Sequence, residues 1–175
     1  MKNSFLVILT ILGIQQINAQ FTRRDSLQGG LRIERTSYDV KRYDLNITIN
    51  PEQKSIKGFN EITFEVLVPA QKIQLDLFEN MKVDSIVWNT KKLKYNRDND
   101  AVFIDFPEKL ASKSNHKLKF YYSGNPRIAR NAPWDGGFVF SKDKAGKDFI
   151  AVAVQGTGAS LWYPVKDSQD RKSVV

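Results

Sequence analysis

The chain has 175 residues, a formal net charge of +8, one histidine and no cysteine. The lack of cysteine excludes disulfides, thiol catalysis and cysteine metal ligands, and one histidine excludes any metal site that needs two imidazoles. Basic and acidic residues are interleaved along most of the sequence, which indicates solvated strand faces rather than a nucleic-acid-binding surface.

Residues 1–19 have the pattern of a signal peptide. Lys2 gives a positive start, residues 5–14 a short apolar core, and residues 17–19 a cleavage site before Gln20. Because the apolar core is too short to span a bilayer, we expect an exported protein, periplasmic or secreted, with no membrane span after signal cleavage. A short uncleaved anchor or a buried element is the alternative.

The next segment, residues 20–37, is charged and has little apolar periodicity, which predicts an exposed leader. From Tyr38 onward, apolar and polar residues alternate, as is typical of strands with one face in a core and one in water. Residues 50–53 are turn-forming, and the same alternation resumes after them. The two flanking segments are therefore predicted to form a hairpin.

Short alternating segments then recur without a convincing helix; only residues 107–114 could hold a helical turn. In one of these segments Gln74 and Asp76 alternate with leucine and isoleucine, which places both polar side chains on the solvent face. Residues 138–141 and 149–154 are predicted to be the arms of a later hairpin. The pattern indicates an all-β protein, an antiparallel sandwich or barrel.

Three other residues carry expectations about their surroundings. Trp134 and Trp162 are expected to cover the end of the core, with sugar stacking as the alternative. His116 lies at the start of a predicted strand and is expected to face solvent.

Gln155 is the main candidate for a binding residue. Ile150, Val152 and Val154 are predicted to line one face of a strand, and Gln155 ends the opposite face, directly before the flexible residues 156–158. A polar group at that place can be held rigidly from behind and still meet a ligand in front. The alternative is that Gln155 only caps a loop.

Four stretches, residues 38–45, 55–58, 132–139 and 154–167, resemble the N-terminal domain of exported bacterial zinc aminopeptidases of the aminopeptidase N family. The resemblance implies a saddle-shaped antiparallel β-sandwich over residues 38–170. In that family a thermolysin-like catalytic domain follows and carries H-E-x-x-H and G-x-M-E-N. Neither motif occurs in this sequence, so the resemblance implies no zinc in this chain and zinc in a missing catalytic domain.

The resemblance also gives Gln155 a role. The family places a Glu or Gln at the active site, about a dozen residues before the Asp of a Pro-x-x-Asp segment, and counting back from Asp167 reaches Gln155. Its carboxamide oxygen could accept a hydrogen bond from the terminal ammonium of a peptide, with Gly156 beside it. In related enzymes the bond after this residue can be cis, so a cis Gln155–Gly156 bond is expected.

The sequence departs from the family after Asp167, and residues 171–175 form a divergent tail. We interpret this as a truncation or reading-frame break, or as a deliberate boundary, which would leave the sandwich incomplete at its C-terminal end. The predicted function is the substrate-binding and structural N-terminal domain of a zinc-dependent aminopeptidase that removes N-terminal amino acids from peptides, inactive alone. The alternative is a free-standing exported β-sandwich that binds protein or glycan.

Overall fold

The computed structural model describes residues 22–167, so the predicted signal peptide and the divergent tail lie outside the described residues. Within residues 22–167, two short helices precede ten strands, and a single 3₁₀ turn follows them. The elements are α1 (Arg23–Gly29), α2 (Ile33–Thr36), β1 (Tyr38–Asn50), β2 (Ser55–Val66), β3 (Ala70–Asp76), β4 (Met81–Trp88), β5 (Lys91–Lys92), β6 (Lys94–Asp98), β7 (Ala101–Leu110), β8 (Asn115–Gly124), β9 (Gly137–Lys142), β10 (Asp148–Ala153) and the 3₁₀ turn Ala159–Leu161.

The strands form three antiparallel sheets. The largest has the order β1-β2-β8-β4-β5, the second β3-β7-β6, and the third is the β9-β10 hairpin. Both hairpins predicted from the alternating pattern are confirmed, since β1 pairs with β2 and β9 pairs with β10 along their lengths. The all-β sandwich is also confirmed.

One continuous apolar core joins the three sheets. Phe64 of β2 and Trp88 of β4 both contact the ring of Phe106 in β7, at centroid distances of 6.2 and 5.4 Å. Phe138 of β9 belongs to the same buried cluster. The alternating residues of each strand therefore bury one face against a neighbouring sheet, which is the arrangement that stabilises a sandwich.

The segment expected to be an exposed leader is instead partly helical and docked, within residues 22–37. Thr22 caps α1: its hydroxyl accepts from Asp25 N, and the Asp25 carboxylate accepts from Thr22 N at 2.8 Å. Leu27 of α1 and Arg35 of α2 are both buried. The expectation was wrong because helices of seven and four residues are too short to show a periodic apolar face.

The structure also decides two local points. Residues 107–110, which could have held a helical turn, belong to β7, because this strand still pairs with β3 at Ala70 and Leu110. Gln74 and Asp76 are buried rather than solvent-facing, because the N-terminal helices and the last described segment cover that face of β3. Neither helix within residues 22–167 is long and apolar enough to cross a membrane.

Candidate functional site

Gln155 lies in an exposed turn that begins directly after β10. The backbone N–H groups of Thr157 and Gly158 both donate to Val154 O, at 3.2 and 3.0 Å, and Gly156 has φ of 69°. Gln155 and Gly156 are exposed. The two predicted binding residues therefore stand together at the tip of a hydrogen-bonded turn.

The apolar face predicted for this strand ends earlier than expected. Ile150 and Val152 pack against the core, but Val154 is 42% exposed because the chain has already left β10 and entered the turn.

The expected cis Gln155–Gly156 bond is wrong. Among residues 22–167 the cis peptide bond is Ala132–Pro133. The chain reverses at Gln155 through the positive φ of Gly156 instead, a conformation that glycine adopts without steric cost.

Asp167 holds the turn from one side. Ser160 Oγ donates to Asp167 Oδ2 at 2.8 Å. A Cβ atom on Gly158 would come within 2.7 Å of that same oxygen, so only glycine lets the turn approach the carboxylate this closely. The Pro-x-x-Asp segment is therefore in physical contact with the turn that carries Gln155.

Asp167 is in turn fixed to the buried face of β3. Its backbone N–H donates to Asp76 Oδ2 at 3.2 Å, and Arg35 bonds both to Asp167 O and to the Asp76 carboxylate. Asp76 and Val165 also exchange two backbone hydrogen bonds, at 2.8 and 3.0 Å. These contacts connect the last described residues to the core of the sandwich.

Among the carboxyl groups that support the turn, Asp76 has the most strongly shifted pKa. Burial raises its pKa to about 6, although Arg35 and the Gln74 amide, which donates to Asp76 Oδ1 at 2.8 Å, both favour the ionised form. The Gln74 carboxamide nitrogen also donates to Leu27 O at 3.1 Å. The network thus joins α1, α2, β3 and the segment that ends at Asp167.

A second loop supports the turn from the other side. A Cβ atom on Gly136 would lie 2.0 Å from Thr157 Oγ1, so the Thr157 side chain fills the space that this glycine leaves. The loop is itself ordered by Asp135, whose carboxylate accepts from Arg130 N and Asn131 N, both at 2.7 Å. These hydrogen bonds lower the pKa of Asp135.

A cleft of about 640 Å³ opens beside the turn, with Gly156 and Thr157 in its wall. Three carboxylates and two guanidinium groups line it, a balance that can accommodate a cation. The remaining lining residues are Arg24, Asp25, Gln28, Phe78, Glu79, Asn80, Asp100 and Arg127.

The described residues do not fit a metal site: within residues 22–167 no three His, Asp or Glu side chains are grouped to hold an ion.

His116 is half-buried, with its ring 5.6 Å from those of both Phe64 and Trp88, and its Nε2 is 2.7 Å from Ser114 Oγ. Burial lowers its pKa. The expectation that His116 faces solvent was wrong because its register in β8 points it toward the core, as for Leu118.

The two tryptophans have different surroundings. Trp162 packs on the core and contacts Phe138 at 5.9 Å between ring centroids, which confirms the expectation for that residue. Trp134 is 77% exposed, so the expectation that it covers the core was wrong; it lies in the tight turn in which its own N–H donates to Asn131 O at 2.8 Å.

Sequence reasoning missed Arg35, Asp76 and Ser160 as supports of the site. Asp76 alternates with apolar residues as an ordinary solvent-facing residue would, and Arg35 lies in a segment without periodicity. A signal for their burial could come only from knowing which segments cover β3.

Comparison with known proteins gives one family and several solved structures. The peptidase M1 N-terminal domain family matches residues 39–174. The M1 zinc metallopeptidase of Deinococcus radiodurans is similar in structure, with a TM-score of 0.54 and 21% identity over 75% of this chain and 29% of its own. Leukotriene A4 hydrolase of Saccharomyces cerevisiae gives a TM-score of 0.59 and 15% identity over 76% and 22%. A search of the curated proteins gives no match.

At these identities the structural similarity shows a shared fold. The chain spans less than a third of the length of either structure.

Proposed function

Because the chain belongs to the peptidase M1 N-terminal domain family, we propose that it serves a zinc-dependent aminopeptidase, in which the turn at Gln155 and Gly156 binds the free amino end of a peptide. The complete enzyme would remove N-terminal amino acids. This chain supplies substrate-binding and structural surface, and a catalytic domain supplies the hydrolysis.

The observation that supports this proposal most is that the exposed Gln155 carboxamide lies on a turn whose backbone is held in place. Val154 O accepts two hydrogen bonds within the turn, Asp167 approaches the turn closely at Gly158, and the Thr157 side chain packs against Gly136. A carboxamide oxygen can accept from an ammonium group, and its fixed position sets the distance from the free end of the peptide to the scissile bond.

The cleft beside the turn supports the same proposal. Its lining has one more carboxylate than guanidinium groups, which favours a positively charged peptide terminus at neutral pH. Arg24 lies over the Phe78 ring at 4.8 Å and pairs with Asp100, so one wall is both apolar and charged.

Zinc belongs, in this proposal, to the catalytic domain. The similar Deinococcus protein is a zinc metallopeptidase, whereas residues 22–167 of this chain show no group of side chains that fits a metal ion. The chain alone is therefore expected to hydrolyse no peptide, and it meets a peptide substrate only together with a catalytic domain.

The test is complementation. The chain is assayed for bound zinc and for hydrolysis of amino-acid anilides, first alone and then mixed with the separately expressed catalytic domain of the Deinococcus metallopeptidase. Activity of the mixture well above that of the catalytic domain alone supports the proposal. Zinc or activity in the chain alone contradicts it, and a folded chain that never raises activity favours the free-standing binding module.

A further inference from the structure

The water-facing side of the five-stranded sheet carries two adjacent aromatic rings. Phe59 of β2 lies directly opposite Tyr121 of β8, with ring centroids 5.3 Å apart and ring planes tilted by 47°. Both side chains are half-buried and lie outside the apolar core of the sandwich. Large rings on a solvated strand face form an apolar surface, and a ligand ring can stack on each of them.

The rings lie in one row across four strands. Asn46 of β1 is opposite Phe59, and Ser85 of β4 is opposite Tyr121. The row therefore consists of the Asn46 amide, two aromatic rings and the Ser85 hydroxyl. A parallel row runs from Thr48 through Lys57 and Ser123 to Lys82.

A concave space of about 930 Å³ covers these rows, within the size range of small-ligand sites. Within residues 22–167, the side chains of Asn46, Thr48, Ser85 and Ser123 make no hydrogen bond. Their amide and hydroxyl groups are thus available to a ligand.

The charge of this lining decides the class of ligand. It contains two lysines and one aspartate, and Lys82 lies 3.5 Å from Asp84. Lys119, whose ammonium is 5.2 Å from the centre of the Phe59 ring, is paired with Glu61 at 3.4 Å. A nucleic acid strand needs a continuous positive groove, which these pairs do not provide.

We propose that this face binds a neutral oligosaccharide. The C–H faces of two sugar rings stack on Phe59 and Tyr121, and the sugar hydroxyls exchange hydrogen bonds with Asn46, Thr48, Ser85 and Ser123. The site is separate from the Gln155 turn and does not depend on the proposed aminopeptidase role.

The test is calorimetric titration of the chain with cellohexaose, xylohexaose, chitohexaose and mannohexaose, at about 0.15 M salt. At least one sugar is expected to bind with a Kd below about 1 mM. Phe59→Ala and Tyr121→Ala should each weaken that binding about tenfold or more. Phe149→Ala, which removes a 54% exposed ring from the third sheet, should leave it unchanged.

Asn46→Ala is a second variant in case an aromatic substitution prevents folding. It removes one exposed amide from an edge strand and should weaken binding about threefold or more. No binding of any of the four sugars, or binding that ignores all three site variants, overturns the proposal. Salt-dependent binding of oligothymidine that is lost in the same variants also overturns it, in favour of a nucleic-acid site.

Discussion

Arg35 and Asp76 form an ion pair in which the side chains are only 1% and 0% exposed. Both side chains are buried, and both form hydrogen bonds with the backbone of Asp167. The pair therefore joins the buried face of β3 to the segment that supports the Gln155 turn. A buried pair of this kind is costly to break, because removal of one partner leaves an uncompensated charge in the interior.

Arg35→Met is therefore expected to lower the free energy of unfolding by about 3–5 kcal/mol at neutral pH. Arg42→Met is the matched control, since Arg42 and Asp44 form a pair with side chains 72% and 37% exposed, and it should change stability by less than about 1 kcal/mol. Urea unfolding measures both. Equal effects of the two substitutions would contradict the role given to Arg35.

The Asp76 carboxyl should titrate at about 6 in the folded chain, above its ordinary 3.8, because burial disfavours its charged form. The contribution of this group to stability is thus fully present below pH about 4 and is lost as pH rises through about 6, by up to about 3 kcal/mol. Carbon-13 NMR of the carboxyl carbon gives the midpoint. A midpoint below 4 would mean that Arg35 outweighs burial.

At the scale of elements, the turn after β10 depends on a glycine that is both conformationally and sterically required. Gly158 has φ of 76°, and a Cβ there would meet Asp167 at 2.7 Å. Gly146, in the β9–β10 turn, has nearly the same φ of 77° with nothing within 4 Å of a Cβ. The two glycines thus share a positive φ, but Gly158 also has ψ of 174°, a combination that is essentially restricted to glycine, and an added Cβ would clash at Gly158 alone.

Alanine at each position compares the two sites. Gly146→Ala should incur a backbone cost of about 1 kcal/mol, and Gly158→Ala should cost at least about 1 kcal/mol more, because its backbone conformation is less accessible to alanine and its Cβ displaces Asp167 from Ser160. The difference between the two unfolding free energies is the measurement. If the variants are equally stable, Asp167 does not hold the turn in the way described.

The strands could be predicted from sequence more completely than the contacts between them. Alternation with period two predicts β1, β2, β9 and β10 because each has one face in the core, a property local to the strand. The burial of Gln74 and Asp76 could not be predicted, because it depends on α1, α2 and the segment near Val165 covering β3. Gln155 could be identified from the sequence as a candidate binding residue, whereas the residues that support its turn could not.

At the scale of the whole molecule, three sheets share one core. The turn at Gln155 and the aromatic face, which is the side of the five-stranded sheet that carries Phe59 and Tyr121, are separate surfaces of the protein. The turn is attached to the core through β3 and α2, while the aromatic face belongs to the five-stranded sheet. Binding at one surface can therefore be altered by substitution without removing the supports of the other.

Export is a further proposal at this scale. Cleavage before Gln20 is expected because residues 1–19 combine a positive start, an apolar core and a small-residue cleavage site. Mass spectrometry of the protein recovered from the periplasm or medium should show a chain that begins at Gln20. Recovery of a chain that retains Met1, or of cytoplasmic protein alone, would contradict the prediction.

The most direct test of the aminopeptidase account is the KM of the complemented mixture for an amino-acid anilide, with the chain carrying Gln155→Ala. KM should rise about tenfold, because one hydrogen bond to a charged amine is lost, whereas Gln53→Ala, which removes another exposed glutamine side chain, should leave KM unchanged. An unchanged KM in Gln155→Ala, with activity still dependent on the chain, would show that the turn does not bind the substrate.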